Sequence, residues 1–266
     1  MNKNEIKVWD YTEEYDADRK NIIEIVDKVF SSGQLILGEN VKSFEEEFAY
    51  WSQSKYGIGV ANGTDAIFLA LKALEIGEGD EVITVANTAV PTVSAIVATG
   101  ATPVFVDISL SDYLLDVRNL EKMITKNTKA IVPVHLYGQM VDMEMLLDIS
   151  KKYNLFIVED CAQAHGSELY GQKAGSFGDI SAFSFYPTKI LGTYGDAGIC
   201  ITKSEELAEK LRSLRFYGMK DTYFSHIPGF NSRLDEVQAA ILRYKLKNLE
   251  DFIKKRREIA SIYEKE

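Results

Sequence analysis

The chain has 266 residues, 46% of them hydrophobic, and a formal net charge of −10. That size supports one large α/β domain with part of a second one and a sizeable core. The acidic balance argues against a nucleic-acid partner. No apolar run reaches membrane-spanning length, and the polar start MNKNEIKVWDYTEEYD carries no secretory stretch, so a soluble cytoplasmic protein is expected.

Helical periodicity covers residues 18–31 and closes at SSGQ, and a second helix runs from about Asn40 to Trp51. KYGIGVANGTDAIFLALKALEIG reads as strand, glycine turn and helix. EVITVA is a strand, and VPTVSAIVATG a helix with Gly100 as its C-cap. TPVFVDI and AIVPVH are strands, MEMLLDISKKYN a helix, and LFIVED another strand. The strand of Ser181–Tyr186 leads into a lysine and three glycines, then into the apolar GICIT. SEELAEKLRSLRFYG is a helix, followed by the polar aromatic loop KDTYFSHIPGFNSR. One long helix is expected from Leu234 to the end, opening a second unit. Alternating strands and helices, with strands that are continuous apolar runs, predict a mainly parallel sheet covered on both faces.

Cys161 and Cys200 sit in apolar strand contexts and read as buried thiols. His135, His165 and His226 show no metal-ligand spacing, so no metal is expected. The run Lys254-Lys255-Arg256-Arg257 lies in an acidic helical pattern and reads as a solvated helix face.

Ligands of such sheets bind at the carboxyl ends of the strands. Three such ends carry chemistry. Asn62-Gly63-Thr64 opens a helix, whose first N–H groups and positive dipole end suit a phosphate; Thr64 as a plain N-cap is the ordinary alternative. Asp160 closes a buried strand, where a carboxylate needs a cationic or hydrogen-bonding partner. Lys189 stands on a tight glycine-rich turn, either as a solvated turn residue or as an amine able to form a Schiff base. Phosphate turn, aspartate and lysine together are what pyridoxal phosphate requires. Neither a P-loop nor a dinucleotide glycine fingerprint is present.

GVANGTDAI, GDEVITVANTAVPTVSAI, GATPVFVDI, IVPVHLYGQ, VEDCAQAHGS, GDISAFSFYPTKILGTYGDAGIC and GFNSRLDEVQAA carry a resemblance covering about residues 30–245. The chain resembles the DegT/DnrJ/EryC1/StrS family of pyridoxal-phosphate sugar aminotransferases, within the aspartate-aminotransferase fold (fold type I). The resemblance implies a large cofactor-binding domain over 1–235 and the start of a smaller C-terminal domain over 236–266. It implies Lys189 as the cofactor lysine and Asp160 as partner of the ring nitrogen. Gln163 would lie at the 3-hydroxyl side, with Gly63, Thr64 and Ser184 at the phosphate. Asn231 would reach the phosphate of a neighbouring subunit, making a homodimer with shared sites. His165 reads as packing, and Tyr186 and Tyr194 as wall residues.

Many members carry an aromatic residue where this chain has Ala89. The NTAVPT form is similar to members that aminate carbon 3 of a dTDP-linked keto-deoxysugar, with L-glutamate as amino donor. An enzyme acting at carbon 4, or a non-catalytic regulatory protein on the same fold, is the alternative. Related dehydratases replace the lysine by histidine, and here it is retained. Arg215, Lys220 and Arg233 are candidates for holding the nucleotide diphosphate.

Overall fold

The computed structural model describes residues 10–220 and 223–265. Helix α1 (Thr12–Ser32) stops at Gly33, whose φ of 70° is the left-handed position that favours glycine. α2 (Glu39–Trp51) and β1 (Tyr56–Val60) follow. Then come α3 (Gly63–Ala73), β2 (Glu81–Val85), α4 (Val90–Ala98), β3 (Thr102–Val106), α5 (Val117–Leu120), β4 (Thr128–Ile131), α6 (Met143–Tyr153) and β5 (Phe156–Asp160). A short hairpin of β6 (Glu168–Leu169) and β7 (Gln172–Lys173) leads to β8 (Ile180–Ser184) and β9 (Gly198–Thr202). α7 (Glu205–Leu214), α8 (Glu236–Leu246) and α9 (Leu249–Tyr263) complete the described chain.

The main sheet has seven strands in the order β1-β9-β8-β5-β4-β2-β3. β9 pairs antiparallel with both β1 and β8, and the other pairings are parallel. The sheet is therefore mainly parallel, with one reversed strand. The connection from β8 to β9 holds no crossover helix, so β9 returns beside its predecessor in the opposite sense. Strand alternation divides the core between the two faces. Val82, Val158 and Ala182 join Ile67, Ile96 and Leu211 of α3, α4 and α7. Ile157 joins Leu146 of α6, while Phe183, Ile199 and Ile201 join Phe44, Phe48 and Leu242 of α2 and α8.

Several elements depart from the sequence reading. α1 begins at Thr12 rather than Asp18. β4 ends at Ile131, because Pro133 lacks the N–H that a ladder needs; pairing resumes only at the isolated bridge Val134–Asp160. The long helix expected from Leu234 is two helices, broken at Lys247–Asn248. The break lets Leu249 and Ile253 of α9 reach the α2 core, alongside Leu242 of α8. Among the described residues no helix is long and apolar enough to cross a membrane.

Candidate active site

The turn after β1 is capped by Asn62, not Thr64: its side chain accepts from the Asp65 N–H at 2.8 Å. The amides of Gly63 and Thr64 are thereby left unused by the helix, at its positive end. A Cβ on Gly63 would sit 2.6 Å from Ser184 Cβ, so only glycine lets the turn press against the end of β8. Ser232 anchors a distant loop here. It accepts from the Ala61 N–H at 3.1 Å and donates to Asp65 at 2.6 Å.

At the end of β5, Asp160 is 5% exposed. It accepts from the Thr92 hydroxyl at 2.7 Å and from the Ala162 N–H at 3.1 Å. Because Thr92 donates to Asp160, its contact with Thr88 at 2.7 Å makes Thr88 the donor. Burial pushes the Asp160 carboxyl above the usual carboxylate range, against those two hydrogen bonds and the Lys189 charge. A buried carboxylate with so few donors has room for one more positive partner.

The lysine turn is held from several directions. The Lys189 N–H donates to Tyr186 O at 2.8 Å, and the Thr193 N–H to Phe185 O at 2.9 Å. A Cβ on Gly192 would lie 2.7 Å from Pro187 O, which explains the glycine at this close approach. From α8, Lys245 donates to Gly192 O at 2.9 Å, and Gln238 accepts from the Thr193 hydroxyl. Burial pulls the Lys189 ammonium below its ordinary value, and Asp160 opposes that shift. The amine is thus easier to deprotonate than a solvated lysine.

Gly63, Thr64, Asp160, Ser184 and Lys189 line one cavity of about 600 Å³. The site residues expected from distant strand ends therefore do converge. Thr92, Ala162 and Asp196 line the same cavity and were missed by the sequence reading. Thr92 stood inside the quoted NTAVPT motif, but only its distance to Asp160 reveals its part. Ala89 and Pro91 form the wall where an aromatic was expected, and Tyr186 lines the cavity as a wall residue. Gln163 lies in an adjoining cavity of about 460 Å³ that shares Lys189 and Ala162. Its Oε1 accepts from the Tyr137 N–H at 3.0 Å, so its amide NH₂ remains free to donate.

Asn231 lines neither cavity. It is exposed and bridges Phe216. His165 is 2% exposed among Phe48, Phe183 and Phe185, and burial lowers its pKa to about 3. Tyr194 lies outside both linings and packs on Tyr11 and Tyr15.

One expectation needs correction. Arg215 does not face a ligand: it is 8% exposed, paired with Glu45, and donates to Gly59 O at 2.8 Å. Its charge is consumed holding α2 to β1. The basic run on α9 is exposed, as expected, while Arg256 and Arg257 also border the smaller cavity and Arg257 donates to Gly166 O at 2.9 Å. Of the other diphosphate candidates, Lys220 is exposed and Arg233 lies over the rings of Phe216 and Tyr217.

Residues 16–266 match the model of the DegT/DnrJ/EryC1/StrS aminotransferase family. A curated relative is the dTDP-3-amino-3,4,6-trideoxy-alpha-D-glucose transaminase of Micromonospora megalomicea subsp. nigra. It is 52% identical over 257 residues, which are 96% of this chain and 69% of that protein. The crystal structure of S. venezuelae DesV superposes with a TM-score of 0.89 at 44% identity, covering 91% of this chain and 65% of that one. A Bacillus subtilis structure, ntda with bound cofactor pmp, has a TM-score of 0.84 at 34% identity, covering 94% of this chain and 58% of that one. The chain thus spans about two thirds of the length of the relatives it matches.

Proposed function

The chain belongs to the DegT/DnrJ/EryC1/StrS aminotransferase family, and from that premise we propose that it transfers an amino group to a nucleotide-linked keto-deoxysugar. The acceptor we propose is a dTDP-linked 3-keto-6-deoxyhexose, giving a 3-amino sugar, with L-glutamate as donor. The name of the Micromonospora transaminase supports the carbon-3 assignment. We propose a soluble cytoplasmic homodimer, with residues 236–266 opening a smaller domain.

One observation carries the reading: a lysine, a buried carboxylate and a bare helix N-terminus open on one cavity. These residues fit pyridoxal 5'-phosphate. The Gly63 and Thr64 amides and the Ser184 hydroxyl would hold its phosphate. Asp160, which has room for a positive partner, would keep the ring nitrogen protonated. The Gln163 NH₂ would donate to the 3-hydroxyl oxygen, and Lys189 would carry the cofactor. When bound, the cofactor supplies an electron sink for charge developing on the substrate carbon.

The protein's own work is orientation and proton movement. The Lys189 amine, with its lowered pKa, takes the proton from the donor Cα. Thr92 and the Ala162 N–H fix the Asp160 carboxylate so that it does not swing away. Ser232, bound to Asp65, anchors the GFNSR loop beside the phosphate turn while Asn231 stays outside its own cavity. That placement supports Asn231 reaching the phosphate of a second copy. Lys220 and Arg233 remain the candidates for the diphosphate.

The test combines trapping and turnover. Protein incubated with pyridoxal phosphate is reduced with borohydride and digested. The cofactor should appear on the peptide bearing Lys189, and a panel of keto-deoxysugar nucleotides with glutamate should yield one aminated product by mass and NMR. Label on another lysine would overturn the site. Label on Lys189 with no product from any sugar would favour a regulatory role.

A further inference from the structure

Lys245 is 7% exposed, and burying an ammonium is costly unless it meets partners. It meets three. It donates to Gly192 O at 2.9 Å, pairs with Glu14 of α1 at 2.7 Å, and lies 4.5 Å from the centre of the Tyr194 ring. Burial pushes the Tyr194 pKa up to about 12, so the ring stays neutral and offers Lys245 its π face. Ala239 and Leu242 already supply the apolar packing of α8. The charge therefore serves another purpose, and the lysine turn supplies it. That turn closes at its neck, where the Thr193 N–H donates to Phe185 O at 2.9 Å, and it carries Lys189 midway. No backbone N–H among the described residues donates to Gly192 O. Lys245 fills that place. Gln238, seven residues earlier on the same face of α8, accepts from the neighbouring Thr193 hydroxyl. α1 backs the arrangement with residues at helical spacing. Tyr11 and Tyr15 set their rings 6.2 and 5.6 Å from that of Tyr194, and Asp18 and Asn21 each bond the Tyr244 hydroxyl at 2.9 Å.

We propose that Lys245 is a positioning residue for the aminotransferase reaction: its ammonium pins the Gly192 carbonyl, and with it the turn that carries Lys189, while Glu14 of α1 keeps that ammonium aimed. The inference rests on the reading of Lys189 as the cofactor lysine and deepens it. Lys245 lines neither cavity, so it acts through the turn alone. An amine forms a bond quickly only when it is held close to its target, and a displacement of about 1 Å can cost a hundredfold in rate. A carbonyl three residues beyond Lys189, fixed by a buried charge, keeps the starting point of that amine constant. The first helix of the chain thereby bears on an amine far along it.

The test follows the labelling of Lys189 over time. Cofactor-free protein is mixed with pyridoxal phosphate at several concentrations and quenched with borohydride, and the labelled peptide bearing Lys189 is quantified by mass. Lys245→Met keeps the stem and removes the donors. Its limiting labelling rate at saturating pyridoxal phosphate should fall roughly tenfold or more. The half-saturating concentration should stay unchanged, because the phosphate turn is untouched. A general loss of fold would not divide the effects in that way. Lys245→Arg, which keeps charge and donors, should recover most of the rate. Tyr244→Phe loosens α1 from α8 without touching the turn and should label at the wild-type rate. Should Lys245→Met fold poorly, Glu14→Gln decides the matter, since it alters only the half-exposed partner and should slow labelling in the same direction. An unchanged limiting rate in Lys245→Met or in Glu14→Gln overturns the proposal. So does a Lys245→Arg rate as slow as that of Lys245→Met, or equal slowing in Tyr244→Phe. Wild-type protein that never labels Lys189 sinks the cofactor reading and the positioning role with it. Wild-type labelling matched by every variant sinks the positioning role alone.

Discussion

Glu159 and Asp160 are neighbours on β5, both carboxylates and both out of water, at 0% and 5% exposure. Burial acts on both in the same direction, yet they end on opposite sides of the usual range. Burial would raise Glu159, but its hydrogen bond with His135 and those from the Gly178 and Gly175 amides outweigh it and hold the carboxyl low. The Phe177 N–H at 2.9 Å and the Ser181 hydroxyl at 3.0 Å complete the set. His135 accepts from the Val141 N–H at Nδ1, so its proton is on Nε2, 3.0 Å from Glu159. Asp160 has two donors, and burial prevails. Strand alternation sends Glu159 toward the structural face and Asp160 toward the cavity. A carboxylate saturated by its own protein is architecture; one left short of donors is available for chemistry.

The sharpest way to break this contrast is to neutralise each group in turn. Asp160→Asn keeps shape and removes charge, so turnover should fall roughly a thousandfold or more, the scale of several kcal/mol of lost transition-state stabilisation. Near wild-type kcat in that variant would make Asp160 a plain turn residue. Glu159→Gln should instead cost fold. Either amide orientation sets an NH₂ group against at least two donors, so chemical denaturation should show a loss of about 3–5 kcal/mol, the range for breaking a buried pair.

The two variants should also differ in pH dependence, measured on the cofactor-free protein. Glu159 is held below its ordinary 4.5, so its contribution is complete above that value and is lost as pH falls through the folded pKa. The deficit of Glu159→Gln should therefore narrow on acidification below about 4.5. Asp160 is held above its ordinary 3.8, so its ionisation weakens the fold as pH rises. Asp160→Asn should be more stable than wild type at neutral pH, with the gain closing in acid. Parallel curves for the two variants would dissolve the comparison.

The smallest effect concerns Thr92, which supplies one of the two donors to Asp160. Thr92→Val should cost about 1 kcal/mol of stability, the net worth of one hydrogen bond. It should also shift the pH at which the bound cofactor's visible absorbance changes. Thr92→Ser should restore that midpoint, which a packing role for the methyl group would not.

Much of this site was legible in the sequence. The lysine turn, the glycine opening of α3 and the aspartate at a strand end are local patterns, and the observed cavity joins all three. What escaped are pairings across distance. Thr92 meets Asp160 across 68 residues, His135 meets Glu159 across 24, and Ser232 meets Asp65 across 167. None has a signature in spacing, because each depends on which strands end side by side. The same blindness misjudged Arg215, whose partner Glu45 lies 170 residues away.

By itself the sequence determined what short-range physics dictates. Apolar runs made strands buried on both faces, glycines marked turns where a side chain could not fit, and capping groups placed helix starts close to a strand end. Only the tertiary structure decided which of two adjacent carboxylates would be saturated with donors and which arginine would be buried in a pair. Those outcomes depend on how many hydrogen-bond donors each charge meets once water is removed, and those donors arrive from elements far apart in the chain.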